Sequence, residues 1–328
     1  MVTYWQQEDG KLVKKSEEEL DSSKKTWVDA RSVTRDDIQN LQDKYKIDPE
    51  NMLDILDPDE LSRIERNEEY DYILAIMKLP VFSPVDDVSY FTAPLGIIIT
   101  GQFFITICWT DCEVLKDFAA NRIKELSLND FPAFCIRFMA RADVMFLRYL
   151  KELNRRATSI QSEMLRSVQN HELIQLLNIQ KSLVYFSTSL KSNQMLLEKM
   201  RKTKVLKLDD EDQDWIDDVE IDNRQAMEMA NTYSQIITGT MDAFASVISN
   251  NMNMAMKQLT VFSIALMLIS FITSFWGMNI RLPWSSSDSW TGFIVISIGC
   301  AVLAIASFLL MTFMSRIQKK IRRHKNKK

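Results

Sequence analysis

From Gln258 to Ile280 the chain carries no Asp, Glu, Lys or Arg, and from Ser289 to Ser315 it carries none again. Each run exceeds the ~20 residues that a helix needs to cross the hydrocarbon core of a bilayer. Two such runs side by side are rare inside soluble domains, so the C-terminal end is expected to be a pair of membrane spans. Averaged over the whole chain, mean hydropathy is slightly polar, because the apolar residues are concentrated at one end.

Charge orients the pair. The segment after Ser315, RIQKKIRRHKNKK, holds eight Lys or Arg. The positive-inside rule keeps it in the cytoplasm, and its place directly after a span favours this role over nucleic-acid binding. Two spans then put the large N-terminal part in the cytoplasm too, with the loop Arg281 to Asp288 facing outside. The opening stretch, MVTYWQQEDGKLVKK, is polar and lacks the apolar segment of a signal peptide. Cys108, Cys112, Cys135 and Cys300 are the cysteines, and His171 and His324 the histidines. No histidine lies near Cys108 and Cys112, so they make a poor zinc set and read better as reduced cytoplasmic thiols. Walker A, GxGxxG, GxSxG and HExxH patterns are absent, which argues against an enzyme.

Glycine and proline divide the remainder. Prolines fall at 49, 58, 80, 84, 94 and 132 and not again until 283; between the last two the only glycines are Gly239 and Gly277. So few breakers predict long helices. Before Pro132 the chain reads as mixed α/β. YDYILAIMKLP (70–80), PLGIIIT (94–100) and FFITICW (103–109) are expected strands. TRDDIQNLQDKY (34–45) is an expected helix capped by Thr34 with Asp37, and CEVLKDFAANRIKEL (112–126) is another. The sequence from Asp130 to Lys202 has helical periodicity and reads as an antiparallel hairpin joined near Ser167–His171. A third helix is expected from about Asp214 to Gly277, too long to stand without partners.

That helix carries a stripe. Steps of three and four from Ser274 pass through Ser270, Met267, Ser263, Thr260 or Leu259, Met256, Asn253, Ser249 and Ser246 to Asp242, all on one face. Phe262, Leu266, Ile269, Phe271 and Phe275 lie opposite. A polar stripe in a span faces a bundle interior or a water-filled path; several copies around an axis would turn each position into a ring. Small residues such as Ser also allow close helix packing, and Met256 and Met267 suit either a constriction or packing. Upstream, DDEDQDWIDDVEID (209–222) has nine carboxylates and no base. A charge run is ordinarily a solvated face, but in an oligomer such density repels unless a cation neutralises it. Oxygen-only ligands suit Mg2+ or Ca2+. At the far end, Gly277 permits a bend and Asn279 offers a neutral amide carbonyl. A ring of such carbonyls suits an ion that keeps its water, as Mg2+ does.

Gly277-Met278-Asn279, ending the first of two C-terminal spans before a short loop and a basic tail, resembles the CorA magnesium transporters. DPDELSRIERNEEYDYILAIMKLP (57–80) and PLGIIITGQFFITIC (94–108) look like that family's N-terminal domain, and SVISNNMNMAMKQLT (246–260) like its stalk-to-pore junction. The resemblance covers nearly the whole chain. It implies an α+β subunit in a homopentameric funnel: a cytoplasmic α/β domain over 1–130, a helical hairpin over 131–208, a stalk helix over 209–257, a pore-lining span over 258–280, an outer loop over 281–290, a second span over 291–315 and a basic tail over 316–328. It also implies Mg2+ influx across the cytoplasmic membrane without ATP. Gly277, Met278 and Asn279 would form the selectivity filter. Asn253, Met256, Leu259, Met267, Ser270 and Ser274 would line the pore, with Asp242 at its inner mouth. Asp218, with Asp71 of the neighbouring subunit, would bind regulatory Mg2+ that holds the pore shut. The sequence departs from the family at Trp276, where Tyr or Phe is usual, and in an outer loop with Asp288 offset by Arg281. A Zn2+, Co2+ or Ni2+ transporter on the same scaffold is the close alternative, against which the intact Met278 argues; a non-conducting membrane sensor is the other.

Overall fold

A two-residue turn starts the fold. Asp9 and Gly10 take φ of 48° and 77°, the left-handed pair that a tight hairpin requires, and join β1 (Val2–Glu8) to β2 (Lys11–Lys15). Five more strands follow: β3 (Thr26–Arg31), β4 (Arg63–Asn67), β5 (Tyr72–Phe82), β6 (Tyr90–Thr100) and β7 (Phe103–Cys108). They form one sheet in the order β2-β1-β3-β7-β6-β5-β4, antiparallel throughout except for β3 with β7. The computed structural model describes residues 1–124, 126–164, 170–203, 205–277, 290, 293–295, 297–306, 309 and 313. The chain divides into two compact units, Met1–Asp242 and Ala243–Lys328.

In the first unit both faces of the sheet are covered, so its central strands are almost continuously buried. On one face lie α1 (Arg35–Tyr45) and α2 (Pro49–Leu56). Leu41, Tyr45, Met52 and Ile55 pack there on Val28, Ala30, Leu74, Ile76, Ile98, Ile105 and Ile107. Thr34 and Asp37 cap α1 reciprocally, the arrangement their spacing predicts. The residues that alternate with these point to the other face, where Trp27 and Phe104 meet Phe118, Phe134 and Phe138. Those phenylalanines come from α3 (Glu113–Ala119) and α4 (Phe131–Met164). The helix expected over 112–126 therefore ends early. Asn121 adopts φ 54° and exchanges two hydrogen bonds with the Leu12 backbone, at 2.7 and 2.9 Å, which turns the chain back towards β2.

Helix α5 (Asn170–Lys202) also lies on this face. Strand β4 is shorter than β5, and its pairing stops at Arg63 opposite Ile76. Asn193 of α5 takes over at Lys78, accepting from its N–H at 2.8 Å and donating to its C=O at 2.9 Å, which pairs the buried backbone there.

The long helix α6 (Asp210–Trp276) begins earlier than the expected Asp214. Asp209 and Asp212 explain the start: each side chain accepts from the other's backbone N–H, at 2.8 and 3.2 Å. Within the first unit α6 runs parallel to α4 and antiparallel to α5. Arg137, Asp143 and Gln161 of α4 meet Trp215, Asn223 and Thr240 in rising order. Gln180, Ser187 and Arg201 of α5 meet Thr238, Asn231 and Asp217 in falling order.

The second unit holds residues 243–276 of α6 and, among the described residues, a shorter apolar helix, Phe293–Ala306. By length and composition one described helix, α6, can cross a membrane. The rest of the second span expected over 291–315, apart from 309 and 313, lies outside the described residues, as does the basic tail over 316–328.

Candidate functional site

Residues 258–274 of α6 carry no charge and are largely uncovered, with large apolar side chains on most of the surface and the serine stripe on one face. Phe262, Leu266 and Phe271 are about half exposed or more, and so are Met256, Leu259 and Met267 on the striped face. Asn253, Ser270 and Ser274 are exposed too. A helix of this kind needs an apolar medium or further helices around it. Its threonines already satisfy themselves: Thr260 donates to the Met256 carbonyl at 2.8 Å and Thr273 to that of Ile269 at 3.1 Å. The helix closes where the Gly277 N–H reaches the carbonyls of Thr273 and Ser274, at 3.0 and 3.2 Å. A Cβ at Gly277 would meet only those two oxygens, at ordinary contact distance, so nothing described within one chain demands glycine there. Met278 and Asn279 lie outside the described residues.

The nine carboxylates at the start of α6 sort into three groups. Asp209 and Asp212 cap the helix. Asp217 and Glu220 pair with Arg201 of α5 at 3.1 and 3.3 Å. Asp210, Asp214, Asp218 and Asp222 recur every fourth residue on one face, and Glu211 lies beside them. No described Lys or Arg pairs with any of these four. Like charges at this spacing repel along the helix. The charge density read from the sequence is therefore partly neutralised within the chain, and the unneutralised remainder is a stripe that includes Asp218. Asp71 sits elsewhere, at the tip of the β4–β5 turn with φ 52°, 82% exposed and ion-paired to Arg66 at 2.9 Å. Nothing described joins Asp71 to Asp218 within one chain. Asp242 is exposed at the end of the first unit.

Asp130, which caps α4 through the Ala133 N–H at 3.2 Å, was not legible as a partner of the acidic run. Its carboxylate lies within 4.8 Å of those of Asp209 and Asp212. Two helix N-termini meet here, and their partial positive charges allow three carboxylates to gather. Burial raises the pKa of Asp212; the hydrogen bond from the Asp209 N–H opposes this, and the charges of Asp130, Asp209 and Glu211 add to it. Cys108, Cys112 and Cys135 are buried. Burial pushes the Cys108 and Cys135 thiols up to about 12 and raises Cys112 likewise, so they stay protonated and are poor metal ligands.

The family model described as "CorA-like Mg2+ transporter protein" matches residues 22–320. A cobalt/magnesium transport protein CorA from Methanocaldococcus jannaschii is 27% identical over 286 residues, 83% of this chain and 86% of that protein. The complete structure of the CorA magnesium transporter from the same organism superposes with a TM-score of 0.76 at 21% identity, covering 94% of this chain and 96% of that one. The structure of the full-length CmaX protein superposes at 0.66 with 13% identity, covering 96% and 97%. These superpositions establish the likeness of fold.

Proposed function

The chain belongs to the CorA-like Mg2+ transporter family, and from that premise we propose that it conducts Mg2+ across the cytoplasmic membrane down its electrochemical gradient. It is a membrane transporter of the divalent-cation type and not an enzyme. The observation that carries the finer reading is the continuity of α6. A carboxylate-striped segment runs in one unbroken helix into an uncharged, largely uncovered stretch that ends at Gly277, immediately before Met278 and Asn279. In this reading the chain assembles as a homopentamer with both termini in the cytoplasm. Asn253, Met256, Leu259, Met267, Ser270 and Ser274 line the path, Asp242 rings the inner mouth, and Gly277, Met278 and Asn279 form the outer filter. Neutral amide carbonyls there hydrogen-bond to the ion's hydration shell, which Mg2+ gives up reluctantly.

Closure follows from charge. Asp218 of one copy and Asp71 of its neighbour share a cytoplasmic Mg2+, and the unneutralised stripe supports this assignment of Asp218. When Mg2+ falls, the carboxylates repel, the subunits shift and the constriction opens. Arg66, already bound to Asp71, competes with the metal.

The deciding experiment is Mg2+ uptake into proteoliposomes by the purified chain and by Asn279→Ala, with Co2+, Ni2+ and Zn2+ run alongside. The expected result is Mg2+ uptake that Asn279→Ala abolishes, and, in Asp218→Asn, uptake that persists at high internal Mg2+. Uptake of Zn2+, Co2+ or Ni2+ without Mg2+ reassigns the ion. No uptake of any of them by a folded oligomer at low internal Mg2+ leaves a membrane cation sensor.

A further inference from the structure

Asp143 of α4 and Asn223 of α6 face one another inside the first unit. Asp143 is 2% exposed and Asn223 is 0% exposed. Asn223 Nδ2 donates to Asp143 Oδ1 at 3.1 Å, while Asn223 Oδ1 is buried with no hydrogen-bond partner. One turn away on each helix, Met139, Phe146, Val219 and Ala226 are all buried, so the pair is wrapped in apolar side chains. Among the described charged groups of α4, α5 and α6, Asp222 alone acts appreciably on Asp143, and it is another anion.

As a carboxylate, Asp143 would be a buried charge without a counter-ion, and both its oxygens could only accept. Asn223 Oδ1 would then stay unmet. Exchanging the amide O and N of Asn223 does not help, because one amide atom still lacks a partner. A single proton removes both defects. We propose that Asp143 is held as the neutral acid and that its O–H donates to Asn223 Oδ1, closing a ring of two hydrogen bonds that clasps α4 to α6. Burial raises the proton affinity of Asp143, and the neighbouring Asp222 adds to it.

The clasp makes this helix contact depend on pH. Asp143 binds its proton more tightly in the folded chain than in the unfolded one. Its contribution is therefore full at low pH and is lost as pH rises through the folded value. The carboxylate then released confronts Asn223 Oδ1 and Asp222. The clasp needs no bound cation and no second copy. Because Asp222 belongs to the carboxylate stripe, neutralising that stripe weakens the hold of Asp143 on its proton.

The test uses the full chain in detergent, with infrared spectra and denaturation midpoints followed from acidic to alkaline pH. A carboxylic-acid C=O band that is absent from Asp143→Asn should persist at neutral pH and titrate at lower pH in Asp222→Asn. Asp143→Asn supplies an N–H to the same Oδ1, so its midpoint should match or exceed that of the wild type, by a margin that grows with pH. Asp143→Ala, which leaves both amide groups of Asn223 unmet, should be destabilised throughout. The absence of an Asp143-dependent acid band at neutral pH would overturn the proposal. So would an Asp143→Asn variant as unstable as Asp143→Ala.

Discussion

Residues 210–242 and 243–276 belong to one unbroken helix, yet they solve opposite problems. In the first segment Ile216, Val219, Ala226, Ala230 and Ile237 are buried against a protein surface made by α4 and α5, and carboxylates occupy the outside. In the second segment Phe262, Leu266, Met267 and Phe271 are all exposed, and no charged residue follows Lys257. Helical backbone geometry is common to both, so geometry does not separate them. The surrounding medium does: one segment carries an apolar stripe for a protein core, and the other needs apolar surroundings on every face except its polar stripe.

Charge placed in each segment tests this contrast most severely. Leu266→Lys combined with Ile269→Lys should cost about 6 kcal/mol of membrane insertion, at about 3 kcal/mol for each Lys near a span centre, and should remove the protein from the membrane fraction. Ile221→Lys, on the exposed side of the first segment (56% exposed), should change stability by no more than about 0.5 kcal/mol. Normal membrane recovery of the doubly charged variant would break the comparison.

Changes within the first unit sharpen it from the packed side. Phe138 stacks on Phe118 with centroids 3.7 Å apart and meets Trp27 edge-on. Phe138→Ala should lose about 3–5 kcal/mol in chemical denaturation, whereas Phe271→Ala should leave that transition unmoved. A Cβ at Gly96 would come within 2.5 Å of Ile55, so Gly96→Ala should cost about 1–3 kcal/mol. Adding Ile55→Ala should recover part of that overpacking loss, although it removes contacts of its own; full additivity would show that the close approach is not the cause. The smallest effect, about 1 kcal/mol, is expected for Thr34→Ala, which removes the cap of α1 and is read from the same denaturation curve.

Legibility followed how locally each feature is encoded. Strands β5, β6 and β7 were evident because β-branched and aromatic runs end at turn residues. Strands β1 to β4 were not; the two edge strands among them, KLVKK and RIERN, are as charged as loops. The start of α6 was placed late because the capping role of Asp209 and Asp212 is invisible within a run of identical charges. The i+4 carboxylate stripe can be read from spacing alone, but which carboxylates remain unpaired depends on Arg201 arriving from α5.

The sequence by itself determined where charge is forbidden, where helices cannot be interrupted and which family the chain resembles. Those properties depend on neighbours along the chain and on solvent, and a linear pattern records both. Only the tertiary structure brought Asp130 to Asp209, Arg201 to Asp217 and Asp143 to Asn223. Residues this far apart in sequence meet because apolar faces of α4, α5 and α6 must be buried together, and no local pattern states which polar groups that burial will enclose.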